Sequence, residues 1–311
     1  MKLFVGLDVS SEKLDTCFLT DDDDLSILLE KTFPNDLNGA TAIKDQIIKF
    51  TESMIFQKIV IGMESTSLYS FHPATFFQTD KELNQYELVV TVENPFKIKQ
   101  FSRIFDEDKT DRIDAFRIAD YLRLQRYSSS PLKEEKYMAL QRLTRTRYQM
   151  VCQLTEAKQH FLENLTYKCN TLSRELKNGD SPTSVFGAAM IALMTEDYSL
   201  DDFSTMSLEA LAELLQHYGK GRFKSPEKIA EAIKKAVRDS YRLGKLAQES
   251  IDIILACLVK SIQAFQKQIK ILDQAIEDLV VILPEYQCLR SIPGIGPVYA
   301  AGLLAEIGQI E

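Results

Sequence analysis

The sequence predicts an α/β domain at the N-terminus followed by an all-α region, and three observations carry that expectation. Short apolar runs of strand character recur as far as residue 92. Beyond Pro131 they stop, and apolar residues return at heptad-compatible steps instead. Between the two regimes, Tyr127-Ser-Ser-Ser-Pro131 is the clearest linker in the chain.

Residues 3–9 are apolar on both faces, as a central strand should be, and residues 13–19 form a second short run after Ser10-Ser11-Glu12. Asp21 to Asp24 read as a solvated hairpin turn rather than a metal loop, because consecutive carboxylates on a turn repel one another. Residues 26–33 complete a meander. A helix over about residues 38–50 leads into a strand over 58–63, and a second helix after Ser65 leads into a strand over 87–92. Asn94-Pro95 interrupts the chain, and a further helix should span residues 111–126. The order βββαβαβα is that of the RNase H-like fold.

Three domains are expected: residues 1–127, a helical coiled-coil or bundle region over 132–283, and the start of a C-terminal domain over 284–311. In the second, Leu140, Leu143, Met150, Leu154, Ala157 and Phe161 follow a heptad seam interrupted by Arg147. A Gly/Pro/Ser-punctuated stretch near residues 178–225 precedes a second seam that starts at Ala247 and Ile251 and ends at Ile276 and Leu279. Two such seams suit an antiparallel arm, a dimerisation coil that would make the protein a homo-oligomer, or a plain intramolecular bundle.

Composition narrows the function classes. With 311 residues, 45% hydrophobic and 26% charged, the chain can bury a substantial core. Its first apolar run is short and ends in a carboxylate, unlike a signal peptide. The longest nearly uncharged apolar stretch, 184–194, falls short of the roughly 18 residues of a membrane helix. Neither secretion nor a membrane partner is expected, and five scattered cysteines without a C-x-x-C pair fit a reducing cytoplasm. The three isolated histidines have no ligand spacing, so a metal would sit on oxygen ligands. The net charge of −8 excludes a uniformly basic coat. Residues 97–147, however, hold thirteen Lys or Arg against eight Asp or Glu, a balance of +5 that leaves −13 for the remainder. That stretch suits a phosphate-facing surface or a salt-bridged helix exterior.

Three acidic signals could carry chemistry. In Gly6-Leu-Asp-Val-Ser10 a carboxylate ends a strand apolar on both faces, where burial unpaired would cost several kcal/mol. Glu64 likewise follows Ile59-Val-Ile-Gly-Met63 and precedes hydroxyl residues suited to a helix start. In Lys109-Thr-Asp-Arg-Ile-Asp-Ala115, Asp111 and Asp114 share one helix face. In isolation, Asp114 with Arg117 and Asp120 with Arg123 would also suit pairs on a solvated face. Together, Asp8, Glu64, Asp111 and Asp114 are the catalytic and metal-ligating candidates, because hard Mg2+ or Mn2+ ions prefer carboxylate oxygens and two such ions serve phosphodiester chemistry. Asp106, Glu107 and Asp108 read as an acidic loop.

The last signal is the string 289–308, where Pro293-Gly-Ile-Gly-Pro297 leads into a helix rich in small residues. It resembles a helix-hairpin-helix, whose free backbone N–H groups face a DNA phosphate. Gly294 and Gly296 are DNA-binding candidates on that basis, with Lys109 and Arg112 beside the acidic helix. A purely structural hairpin is the alternative.

The strings GLDVS (6–10), GMEST (62–66), KTDRIDA (109–115) and SIPGIGPVYAAGLLAEIG (291–308) resemble the insertion-sequence 110 family of transposases, which includes Piv/MooV-type DNA invertases. The resemblance spans nearly the whole chain. It implies a RuvC-like domain with an Asp-Glu-Asp-Asp tetrad, here Asp8, Glu64, Asp111 and Asp114, then a helical coil and a C-terminal transposase domain. It also implies DNA as substrate, an element-encoded structured RNA as partner, and a serine nucleophile beyond the hairpin in a Gly-Leu-x-Pro and Ser-Gly context. No such context occurs in these residues, and Ser291 precedes the hairpin, so the expectation is a C-terminally truncated member that does not complete recombination alone. Two alternatives share the tetrad or the coil: a RuvC-like Holliday-junction endonuclease and an inactive, dimerising nucleic-acid-binding remnant. An actin-like ATPase is disfavoured because Val9-Ser10-Ser11 lacks the glycine that lets backbone approach phosphate.

Overall fold

The computed structural model describes residues 1–22, 26–65, 68–103, 111–125, 127, 134–179, 181–195 and 198–308, with Asp111 and Arg112 as backbone only. The chain forms two compact units, Met1–Lys133 and Glu134–Glu311.

In the first unit, β1 (Lys2–Val9), β2 (Lys13–Thr20) and β3 (Ile27–Pro34) make the expected antiparallel meander. Then α1 (Leu37–Ser53) leads into β4 (Lys58–Glu64), and α2 (Phe71–Thr79) with a 3-10 turn (Leu83–Gln85) leads into β5 (Leu88–Glu93). The sheet order is β3-β2-β1-β4-β5, with β4 parallel to β1 and β5 parallel to β4, as an RNase H-like domain requires. β1 is central, which explains its apolar character on both faces. Leu3, Val5 and Leu7 join Ile43 and Ile47 of α1 in one core, while Phe4 joins Ile118 and Leu122 in the other. α1 starts where it does because Asp36 accepts a hydrogen bond from the Gly39 N–H.

Asn94-Pro95 proves to be a helix start rather than a simple break. Asn94 Oδ1 accepts from the Phe96 N–H at 2.9 Å and Pro95 takes the first helical position of α3 (Pro95–Ser102). Eight residues are too few for a periodic apolar pattern to show. The following helix, α4 (Asp111–Arg123), ends short of the expected residue 126, and Gln125 adopts a left-handed φ of 54°.

The second unit is helical. α5 (Glu135–Lys168) is followed by α6 (Leu172–Asn178), α7 (Ala188–Thr195), α8 (Leu200–Thr205), α9 (Leu208–Gly219), α10 (Pro226–Asp239) and α11 (Lys245–Val280). The long helices α5 and α11 run antiparallel within the chain. Leu140 near the start of α5 clusters with Ile276 and Val280 near the end of α11, while Phe161 and Leu165 cluster with Leu255 and Val259. Arg147, the interruption in the first seam, pairs with Asp273 of the second, so one polar layer answers the other. The punctuated stretch between the seams holds short helices around a shared core; α7 is buried through Ala189, Met190, Ile191, Leu193 and Met194, which erases any amphipathic signature. Finally α12 (Pro284–Arg290) and α13 (Pro297–Ile307) close the unit, with Ala301, Leu304 and Ala305 against Tyr137 and Leu140 of α5. Among the described residues, no helix is long and apolar enough to cross a membrane.

Candidate metal centre

The site begins with two glycines. Gly6 of β1 and Gly62 of β4 are register partners on the face covered by α4. A Cβ on Gly6 would lie 2.3 Å from the Ala115 carbonyl oxygen and 2.4 Å from the Ala119 nitrogen; one on Gly62 would lie 2.6 Å from a Leu122 methyl. Bare backbone at these positions lets α4 lie directly on the sheet. Its direction follows from its far end: Leu122 sits over Gly62, and Tyr127 beyond it lies near Lys58 at the start of β4. α4 therefore runs back toward the strand starts. Its first turn, carrying Asp111 and Asp114, lies toward the edge where β1 and β4 end.

Two residues beyond the glycines, on that same face, stand Asp8 and Glu64. Asp8 is opposite Asp15 of β2, Leu7 is in register with Met63 so that Asp8 neighbours Glu64, and Glu64 is opposite Glu93 of β5. Asp15, Asp8, Glu64 and Glu93 thus form a row across four strands, each about 4.8 Å from the next.

Protein groups compensate the two outer members. Asp15 is buried, accepts from the Thr32 hydroxyl and has Lys13 Nζ at 3.1 Å. Glu93, also buried, accepts from the Thr91 hydroxyl at 2.7 Å and has Lys97 Nζ at 3.6 Å. On α4, Asp114 has Arg117 Nη1 at 3.8 Å, and Asp120 accepts from Arg123 Nε at 2.9 Å. These pairs were expected on a solvated face if structural; in fact Arg117 and Asp120 are buried.

The structure thus brings Asp8 and Glu64 to adjacent strand ends with Asp114 toward the same edge. The side chains of Asp111 and Arg112, and all of Lys109, lie outside the described residues. Among those described, no three Asp, Glu, His or Cys side chains already form a metal cage. The donor set nonetheless fits a divalent cation: it is all carboxylate, it stands on an apolar floor, and like charges on neighbouring strands need positive charge between them. Cys17, register partner of Gly6, is not a competing ligand. Burial, reinforced by the charge of Glu30, pushes its thiol up to about 12.

Glu93 and Asp15 were missed by sequence reasoning. Glu93 carried a readable signal, since Leu88-Val-Val-Thr-Val-Glu93 ends in a carboxylate just as the strands of Asp8 and Glu64 do. Asp15 had none, because only register sets it opposite Asp8.

In the second unit, the turn between α12 and α13 carries Gly294 and Gly296 of the string 289–308. Gly294 adopts a φ of +89°, Gly296 precedes Pro297 at the first position of α13, and a Cβ on either glycine would meet none of the described residues within 4 Å.

No curated protein matches this chain. Residues 5–169 match the family model of DEDD transposases of the insertion-sequence 110 type, described as a transposase. That stretch exceeds half of the chain and contains the carboxylate row and α4, so the protein belongs to this transposase family, whose members bind DNA and recombine it with divalent metal.

Proposed function

We propose that Asp8, Glu64, Asp111 and Asp114 form the metal-bearing catalytic centre with which this chain assists phosphodiester strand exchange in DNA. What chiefly supports the reading is the pairing of Asp8 with Glu64 at adjacent strand ends, beneath a helix whose first turn brings two more aspartates to that edge. Two carboxylates so close together favour a divalent cation between them. Divalent ions held there would activate an attacking oxygen and stabilise a leaving one.

The protein's own part is to fix the ligands. Rigid strands hold Asp8 and Glu64, and the Gly6–Gly62 platform sets how closely α4 approaches them. Lys13 and Lys97 compensate Asp15 and Glu93 at the flanks of the row. Lys109 and Arg112 would contact the DNA backbone, and the N–H groups of Val298 and Tyr299 in the first turn of α13 would take a phosphate, with Gly294 and Gly296 leaving the approach open. This reading covers the metal-bearing part of the site alone. The serine nucleophile of the family resemblance has no counterpart in these residues. The reading carries over an element-encoded structured RNA that selects the DNA, and a second copy of the chain meeting the long helices, where Leu246, Ile253 and Ile271 of α11 are exposed.

Asp8→Asn and Glu64→Gln should each weaken Mn2+ binding, followed by calorimetry, and lower metal-dependent strand exchange by about a hundredfold or more when the chain is supplied with its element's DNA and RNA. Circular dichroism should stay unchanged. Retention of both metal affinity and activity by Glu64→Gln would remove Glu64 from the site.

A further inference from the structure

We infer that the turn joining α9 to α10, Gly219-Lys-Gly-Arg-Phe-Lys-Ser-Pro226, is a separate nucleic-acid contact that grips a phosphodiester backbone without reading bases. It lies in the helical unit and goes beyond the metal-centre reading.

The charge is concentrated there. Lys220, Arg222 and Lys224 occupy the turn and Lys228 follows in α10, with Glu227 as the one carboxylate of residues 215–228, in a chain whose net charge is −8. All four cations are exposed. Lys220, Arg222 and Lys224 form no ion pair with any described residue. A net acidic protein offers many carboxylates that could neutralise such cations. Leaving three in a six-residue turn without one costs self-repulsion, which an external polyanion relieves.

The turn is also held in shape. The Phe223 ring folds back onto Gly219, where a Cβ would lie 2.5 Å from it. Gln216 Nε2 donates to the Phe223 carbonyl at 3.0 Å, and the Gly221 N–H donates to the Gln216 carbonyl at 3.0 Å. Lys220 and Gly221 are both left-handed, with φ of 50° and 70°. A non-glycine residue in that region is strained, and here the surrounding contacts maintain it. Presenting cations from a fixed turn leaves little ordering entropy to lose on binding.

The chemistry selects the partner. Phe223 is turned inward, so the turn offers no aromatic ring for stacking on bases and no apolar wedge for a lipid surface. What remains is a set of point charges suited to phosphates spaced along a duplex backbone.

The test is the salt dependence of binding by the full chain, in EDTA, to a short DNA duplex and to an RNA hairpin, read by fluorescence anisotropy. The triple variant K220Q/R222Q/K224Q should lower the slope of log Kobs against log salt by about 2 to 3 and weaken binding about tenfold or more near physiological salt, equally across unrelated sequences. A control that removes the same charge from exposed positions of α11, K260Q/K267Q/K270Q, should leave the slope in place. A drop confined to one nucleic acid identifies which backbone the turn holds. An unchanged slope on both, or an equal drop in the control, overturns the proposal. Because no metal is present, failure of the metal-centre reading would appear in strand exchange and not in this measurement.

Discussion

Gly6 with Gly62, under α4, and Gly294 with Gly296, at the hairpin turn, are two glycine pairs with opposite physical causes. In the first pair the missing Cβ is space already taken by a helix, with Gly6 facing backbone atoms of Ala115 and Ala119. In the second, no described residue occupies the space, and only Gly294 needs its positive φ. A glycine of the first kind sets the distance between a helix and a sheet, and so the position of α4's aspartates. One of the second kind shapes a turn and leaves backbone open to a partner.

Substitutions should separate these causes. Gly6→Ala has the largest expected effect, a loss of upwards of about 3 kcal/mol in urea unfolding of the first unit, because backbone cannot step aside. A loss under about 1 kcal/mol would mean that α4 does not rest on β1 as described. Next comes a pH effect beneath the same helix. Cys17 has its folded pKa raised from 9.0 to about 12 by burial. The stability this lends is present in full below pH 9 and is lost as pH rises toward 12, reaching about 1.4 kcal/mol by pH 10. Cys17→Ala should therefore flatten the alkaline fall in melting temperature relative to the parent chain, and parallel curves for the two proteins would argue against a thiol packed under α4.

Smaller changes sharpen the contrast. Gly62→Ala meets only the flexible end of Leu122 and should cost about 1 kcal/mol, with Gly294→Ala similar through backbone strain. Gly296→Ala should leave unfolding within about 0.5 kcal/mol of the parent yet weaken DNA binding, since the added methyl stands where a phosphate would approach. Unaltered DNA affinity would leave the hairpin a structural turn.

Legibility followed the range of the interactions. Asp8 and Glu64 stood out because a carboxylate closing a run apolar on both faces is anomalous within a few residues of sequence. Glu93 closes its strand in the same way and went unread only because the expected strand stopped one residue early. α3 and the short helices after α6 left weak traces, since a helix of six to eight residues presents too few turns for periodicity, and α7 is buried all round. The two long seams were plain, but that they meet each other within the chain shows only in the clustering of Leu140 with Ile276, and of Phe161 with Leu255.

By itself the sequence determined the order of the five strands, the two apolar seams, and that Asp8 and Glu64 end apolar strands, because each rests on residues close along the chain. Only the tertiary structure decided that Asp15 and Glu93 join Asp8 and Glu64 in one row, that Gly6 and Gly62 lie under α4, and that Arg147 answers Asp273. Those facts depend on strand register and helix packing, which join residues far apart in sequence through space that no local pattern records.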